Sequence, residues 1–350
     1  MKKALSLILA LAMSMSLVAC GSKSEPAPAP APAPAPEASQ PAETPAAPAE
    51  NYVYNGGRLT IGGADSTGTM YAAAAAIATT FSGKVQGLNV DATTSSGSNE
   101  NALNVQEGEI ELGMCSGDAA AAAYNGTGKF ADVGACKDIV AIGAVYASLS
   151  NWIALESSGY KYLHDAVGGT FGIGPAASTS ESSALLGLGV AGITADNSTF
   201  QNVTLGDGAD NVANGIMTAA TAFAGIPVGA QLNASVTKDC VWLGFTDAEL
   251  DQILAANPSY YKAVIPAGTY NGQDADVPTF GVKCMVICNK SLDAELVYNL
   301  AKTLAENTEE MIAGNGVFAS MADPNFICND LPIALHEGAA AYYADAGMLK

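Results

Sequence analysis

Residues 58–71 run Arg58-Leu59-Thr60-Ile61-Gly62-Gly63-Ala64-Asp65-Ser66-Thr67-Gly68-Thr69-Met70-Tyr71. The first five predict a strand, and the alanine-rich run from Thr69 to Phe81 predicts a helix with Ser66 or Thr67 as its N-cap. The same rhythm continues outward. Strands are expected at 88–93, 110–115, 139–145 and 152–156, with helices at 99–107, capped by Ser98, and at 118–124. A second series follows: strand 170–174, helix 181–191 opened by Ser178-Thr179-Ser180, strand 202–205, helix 209–218, strand 222–224 running into Gly225-Ile226-Pro227, and strand 240–243. Strand 282–288 brings the chain back, and helices 294–307 and 335–346 close it. Strands alternating with helices predict parallel sheets covered on both faces, hence an α/β fold of two lobes. The expected division is lobe 1 from 51–147 plus 289–350 and lobe 2 from 148–288. In open α/β sheets ligands bind beyond the carboxyl ends of the strands, so two such lobes enclose a cleft.

The N-terminus is different in kind. Met1-Lys2-Lys3 is basic, Ala4 to Val18 is apolar, and Ala19-Cys20-Gly21 follows, which is the order of a secretory signal peptide over residues 1–19. The apolar run is shorter than the roughly 20 residues that a membrane span needs. Ser22 to Glu50 holds nine of the sixteen prolines. Proline fixes φ and removes a backbone donor, so residues 20–50 are expected to form an extended tether. At about 3.1 Å per residue, polyproline II over 25–50 would reach on the order of 80 Å.

Composition narrows the function. The formal net charge is −20, and Arg58 is the sole arginine. Nucleic-acid binding needs clustered Lys and Arg, so that class is excluded. Besides Cys20 there are six cysteines, Cys115, Cys136, Cys240, Cys284, Cys288 and Cys328. Six thiols allow fifteen pairings, and spacing alone rejects one. Cys284 and Cys288 share a strand, where four steps separate them by ~13 Å, too far for a disulfide. The two histidines, His164 and His336, do not accompany a cysteine pair. No metal or other cofactor is expected.

Several of these segments resemble one family. Leu17-Val18-Ala19-Cys20 resembles the lipobox of bacterial lipoproteins, which implies lipidation of Cys20 and a membrane-anchored, extracytoplasmic chain. Ile61 to Tyr71 resembles the opening of the TAXI family, the extracytoplasmic solute receptors of TRAP-type transporters. Thr93 to Asn101 is similar to that family's second-strand loop, and Gly113 to Ala120 with Tyr124-Asn125-Gly126 to its third. Gly172 to Thr179 is similar to its second-lobe loop, and Tyr270 to Gln273 and Leu335 to Tyr343 match in kind and order. The resemblance implies a type II periplasmic-binding-protein fold with two hinge strands, and delivery of a small carboxylate or amino acid to a TRAP-type membrane permease. An ABC importer using the same fold is the alternative partner. The chain departs from the family at Ala176-Ala177, where glycine is usual, and at Glu337, where proline is usual.

Three loops share one arrangement: strand, small hydroxyl residues, helix N-terminus. Free N–H groups and the helix dipole there favour an anion. The candidate ligand contacts are Ser66, Thr67, Thr69, Ser96, Ser98, Ser116, Gly174, Ser178, Thr179 and Pro227. Each hydroxyl has a competing role as a helix cap. Tyr71 offers a ring to a ligand, and Asp65 and Asp118 could meet an amino group. An anionic or zwitterionic solute held by a monomeric receptor is therefore expected. A hydrolase is disfavoured, since no Gly-x-Ser-x-Gly elbow sits in a strand-turn-helix context. A phosphate loop is disfavoured because no Gly-Lys-Ser/Thr follows these glycines.

Overall fold

A computed structural model describes residues 52–350 except Asp65, Thr67 and Ala177. The signal peptide, Cys20 and the tether lie outside the described residues. In chain order the first half contains β1 (Leu59–Gly62), α1 (Thr69–Lys84), β2 (Val90–Thr93), α2 (Ser98–Glu107), β3 (Leu112–Ser116), α3 (Gly117–Asn125) and β4 (Ile139–Leu155). Then come β5 (Thr170–Gly172), α4 (Thr179–Val190), β6 (Thr199–Gln201), α5 (Leu205–Ala213), β7 (Ala219–Ala224), α6 (Gly229–Thr237), β8 (Cys240–Leu243), α7 (Asp247–Ala256) and β9 (Tyr261–Ile265). The chain ends with β10 (Val277–Asn289), α8 (Ala294–Glu306), α9 (Thr308–Gly314), α10 (Pro324–Cys328) and α11 (Glu337–Asp345).

The strands pair as two copies of one pattern. In the first, β2-β1-β3-β10-β4, the first three strands are parallel and β10 runs antiparallel between β3 and β4. In the second, β6-β5-β7-β4-β8, the first three are again parallel and β4 is the antiparallel insert. β4 and β10 therefore serve both sheets. β4 pairs with β10 over Ile139–Leu149 and with β7 from Leu149 onward, so it changes partners at that residue. β10 pairs with β9 over Val277–Gly281 and with β3 over Cys284–Cys288. The result is a mixed α/β fold of two half-sheets joined by two strands, β4 and β10, that run between them.

The largest departure from the sequence expectation is β4. Strands expected at 139–145 and 152–156 are one strand of 17 residues. Ser148, Ser150 and Asn151 fall in the interval between the two expected strands, yet all three side chains are buried. Ser148 Oγ lies 3.3 Å from Cys284 Sγ, and Asn151 Nδ2 donates to the Leu149 carbonyl at 2.8 Å. Asn151 Oδ1 accepts from the Tyr270 hydroxyl at 3.0 Å. Buried polar groups with partners cost little, so Ser148 and Asn151 do not interrupt the strand, while the Ser150 hydroxyl is buried without a partner. A second departure concerns 202–205, expected as a strand. β6 ends at Gln201, and Thr204 instead caps α5, its hydroxyl accepting from Asp207 N at 3.0 Å. Third, Gly68 and Gly97 are the N-caps of α1 and α2, so Ser66, Thr67 and Ser98 do not hold those positions.

Helix α1 shows why the core forms where it does. Ala73, Ala74, Ile77, Ala78 and Phe81 are buried, one face at helical spacing. Fully burying Ile77 and Phe81 contributes about 1.5–3 kcal/mol each. That anchorage fixes the opposite, N-terminal end of α1 at the loop leaving β1.

Candidate functional site

The carboxyl ends of β1, β2 and β3 and the start of α4 converge on a cavity of about 220 Å³. Its first-half wall carries Ala64, Gly68, Thr69, Met70, Ser96, Gly97, Ser98 and Asn99, and its floor Ser116, Tyr146 and Ser148. The facing wall carries Ser178, Thr179, Leu205, Phe223 and Ala224. Among the described residues none of those lining it is ionised at neutral pH. Burial pushes the Tyr146 phenol well above its usual range and Cys284 below it up to about 11, so the floor is neutral.

Helix capping differs between the two walls of this cavity. On the facing wall Ser178 and Thr204 accept from the first turns of α4 and α5, and away from the cavity Thr246 and Asp293 do the same for α7 and α8. At α1, α2 and α3 the N-cap residues, Gly68, Gly97 and Ser116, make no side-chain cap bond, and among the described residues no other side chain is seen to cap those first turns. The first intrahelical bonds run from Ala72 N to the Gly68 carbonyl and from Asn101 N to the Gly97 carbonyl. The N–H groups of Thr69, Met70 and Tyr71, and of Ser98, Asn99 and Glu100, therefore have no intrahelical acceptor. Gly97 has φ of 105° and ψ of −154°, a conformation open to glycine alone, and it brings the start of α2 to the cavity. Two uncapped N-termini and their dipoles thus face one small space.

Several predicted hydroxyls have other employment. Ser96 Oγ donates to Glu100 Oε2 at 2.5 Å, and Ser96 N donates to the same oxygen at 3.0 Å. Those bonds hold the Glu100 carboxyl below its ordinary range. Ser178 Oγ donates to the Pro175 carbonyl at 2.6 Å and accepts from Glu181 N at 3.2 Å, capping α4. Ser98 Oγ accepts from Ser116 N at 3.0 Å. Ser116 Oγ is buried in the floor with no protein partner. Thr69 and Thr179 line the cavity at the first positions of α1 and α4.

The remaining candidates lie elsewhere. Asp65 and Thr67 fall outside the described residues. Ser66 is exposed in the turn before α1 and does not line the cavity. Tyr71 packs back on Gly63, where an added Cβ would stand 2.9 Å from Tyr71 Cα. Asp118 Oδ2 accepts from the Tyr260 hydroxyl at 3.2 Å instead of facing the cavity. Gly174, with φ of 85°, lets the end of β5 meet α4, since a Cβ there would come 2.6 Å from Ser180 Cβ. Pro227, after a cis peptide bond, is exposed and away from the lining. Arg58 pairs with Asp91 at the opposite end of β1 from the cavity. His336 caps α11, its Nδ1 accepting from Gly338 N at 3.1 Å, and His164 Nδ1 lies 2.9 Å from Glu249 Oε1. Each of the six cysteines is a buried free thiol.

Among the lining residues, Met70, Tyr146, Ser148 and Phe223 escaped the sequence reading. So did Asn101, which is fully buried on α2. Its Nδ2 lies 3.1, 2.7 and 2.8 Å from the carbonyls of Gly62, Gly63 and Met114, tying α2 to the ends of β1 and β3. Gly62 must lack a side chain for this, since a Cβ would stand 2.4 Å from Asn101 Oδ1.

Comparison with solved structures returns solute-binding proteins at low identity. A TctC solute binding protein from Polaromonas has a TM-score of 0.49 at 12% identity, covering 83% of this chain and 96% of that one. The periplasmic aliphatic sulphonate binding protein SsuA from Escherichia coli has a TM-score of 0.45 at 12% identity, covering 82% of each chain. The alkanesulfonate-binding protein SsuA from Xanthomonas axonopodis pv. citri, bound to MOPS, has a TM-score of 0.44 at 11% identity, covering 74% of this chain and 80% of that one. The family comparison is more extensive, for residues 61–347 match the NMT1-like family over every element from β1 to α11. The chain belongs to the NMT1-like family.

Proposed function

We propose that this chain is an extracytoplasmic receptor that captures a small anionic or zwitterionic solute, such as a carboxylate or an amino acid, and passes it to a TRAP-type membrane permease. The observation that carries this is the pair of uncapped helix N-termini, α1 and α2, facing a cavity whose described lining holds no ionised side chain. An anion there is held by backbone N–H groups of Thr69, Met70, Ser98 and Asn99 and by the hydroxyls of Thr69 and Thr179. The hydroxyl hydrogens of Ser96 and Ser178 are committed to Glu100 and Pro175, so these two residues shape the loops. Residues 51–147 with 289–350 form one lobe and 148–288 the other, and they rotate about β4 and β10, closing on the solute as a monomer. Cys20 carries the lipid that keeps the receptor on the outer face of the membrane.

Native mass spectrometry of gently purified protein identifies a co-purified solute, and calorimetry with that solute tests the site. A hydrogen bond to a charged acceptor contributes roughly 1.5–3 kcal/mol, so Thr69→Ala or Thr179→Ala should weaken binding about 10- to 100-fold. Arg58→Ala should bind normally. Loss of binding in Arg58→Ala with normal binding in both threonine variants rules out this mode of recognition. Uptake that survives collapse of the ion gradient but not ATP depletion would replace the TRAP permease by an ABC importer.

A further inference from the structure

One side-chain contact joins the two halves close to a chain crossing. The Tyr260 hydroxyl donates to Asp118 Oδ2 at 3.2 Å. Asp118 is in the first turn of α3, directly after Ser116 of the cavity floor. Tyr260 immediately precedes β9, on the other side of the proposed hinge. Between them lies the stretch of β10 that changes partners, with Tyr261 paired to Gly281 and Ser116 paired to Cys284. The hydrogen bond therefore spans the point where β10 leaves one sheet for the other.

The same tyrosine backs the cavity wall. Its ring is 5% exposed and packs on Phe223 at 5.5 Å between centroids and on Phe280 at 5.1 Å. Phe223 lines the cavity. A solute that presses on Phe223 is thus one ring away from the contact with Asp118. Burial, and then the Asp118 carboxylate, hold the Tyr260 phenol above its ordinary range, so it stays a donor across the working pH. The carboxylate is only half satisfied: Oδ1 is buried and has no protein partner. In the observed state Asp118 gains one charged hydrogen bond and leaves one oxygen without one. If the halves part, both oxygens hydrate. These terms oppose each other, so the contact is poised instead of permanently shut.

We propose that the Asp118–Tyr260 hydrogen bond is a conformational latch across the hinge, set by the tyrosine that supports the cavity wall. It rests on the two-lobe reading above. A rotation about β10 moves groups beside the pivot less than groups at the cleft mouth, but hydrogen bonds weaken steeply with distance and angle, so a small rotation breaks it.

The test uses the full chain without added solute. Asp132 and Asp196 are exposed, one on each side of the hinge, and Asp132→Cys with Asp196→Cys accepts a pair of spin labels. Pulsed electron resonance should resolve a short and a long distance. Tyr260→Phe keeps the ring packing and removes only the hydroxyl. It should lower the ratio of short to long distance about 10-fold, the effect of one charged hydrogen bond. In an Asp118→Ala background the same Tyr260→Phe change should alter nothing further. An unchanged ratio in Tyr260→Phe overturns the latch, as does an equal fall with Asp118 absent. A single distance in every variant overturns the hinge itself, and the latch with it.

Discussion

Gly225 offers the sharpest test of whether the two halves move. It follows β7 directly, and a Cβ added there would stand 2.7 Å from Val317 Cγ2, 3.2 Å from Thr69 Cγ2 and 3.5 Å from Tyr146 Cδ2. Carbon atoms rest at about 3.5–4.0 Å, so Gly225→Ala requires the facing surfaces to separate by about 1 Å. Val317 and Thr69 are branched at Cβ and have little rotamer freedom to retreat. In a rigid core such overpacking costs about 1–3 kcal/mol. Across a hinge the strain is relieved by rotation, so the unfolding free energy should change by less than about 0.5 kcal/mol, the size of a surface substitution. Gly229→Ala is the control, since nothing lies within 4 Å of an added Cβ at that first residue of α6. It reports the unfolded-chain entropy of a glycine-to-alanine change by itself. Urea titration gives the stabilities, and the spin-label pair reports the opening. A loss of 1–3 kcal/mol for Gly225→Ala over the control, with distances unchanged, would refute the hinge.

Asn101→Ala should cost about 2 kcal/mol by urea titration, because Nδ2 serves the Gly62 and Met114 carbonyls as well as that of Gly63, which also accepts from Ser95 Oγ at 3.0 Å, and a buried carbonyl left without a donor costs about 1–3 kcal/mol. Glu100 has a folded pKa below its model-compound value of 4.5, so its bonds to Ser96 stabilise the fold fully above that pH and are lost as pH falls through the folded value. Glu100→Gln should therefore flatten the acid limb of stability against pH, and an unaltered limb would show that the Ser96 contact is absent in solution. Burial pushes Cys284 up to about 11 and also raises Cys115 well above the usual thiol range, so Ellman's reagent should find the six thiols Cys115 to Cys328 unreactive in the native protein and reactive in urea.

The alternation of short apolar runs with helices made the parallel segments readable, and Cys240–Leu243 falls where it was expected. Strand β4 was not readable as one element. Asn151 and Ser148 find partners in Tyr270 and Cys284, 119 and 136 residues away, and no local pattern carries that information. Helix α7 was overlooked although its start carries a readable signal, Thr246 with Glu249 three residues on, which forms a capping box. At the site, small hydroxyl residues after each strand marked the right loops. Which hydroxyls remain available was not legible. The Pro175 carbonyl and the Glu100 carboxylate claim Ser178 and Ser96 through turn geometry, while Tyr146 and Phe223 sit in strands that read simply as core.

The sharing of β4 and β10 bears on how the chain can fold. The first sheet lacks its antiparallel insert until β10 arrives, and β3 and β10 are separated by all of the second sheet. Before then β3 presents an open edge, and the segment from β1 to α3 cannot close its core. Such long-range pairing is slow, because the loop must close before its contacts form. A chain emerging in order therefore stays unfolded until nearly all of it is available, and a fragment ending before residue 277 should not fold. Under the proposed extracytoplasmic role the chain is threaded through a membrane before it folds, and late closure by β10 would keep it in a threadable form.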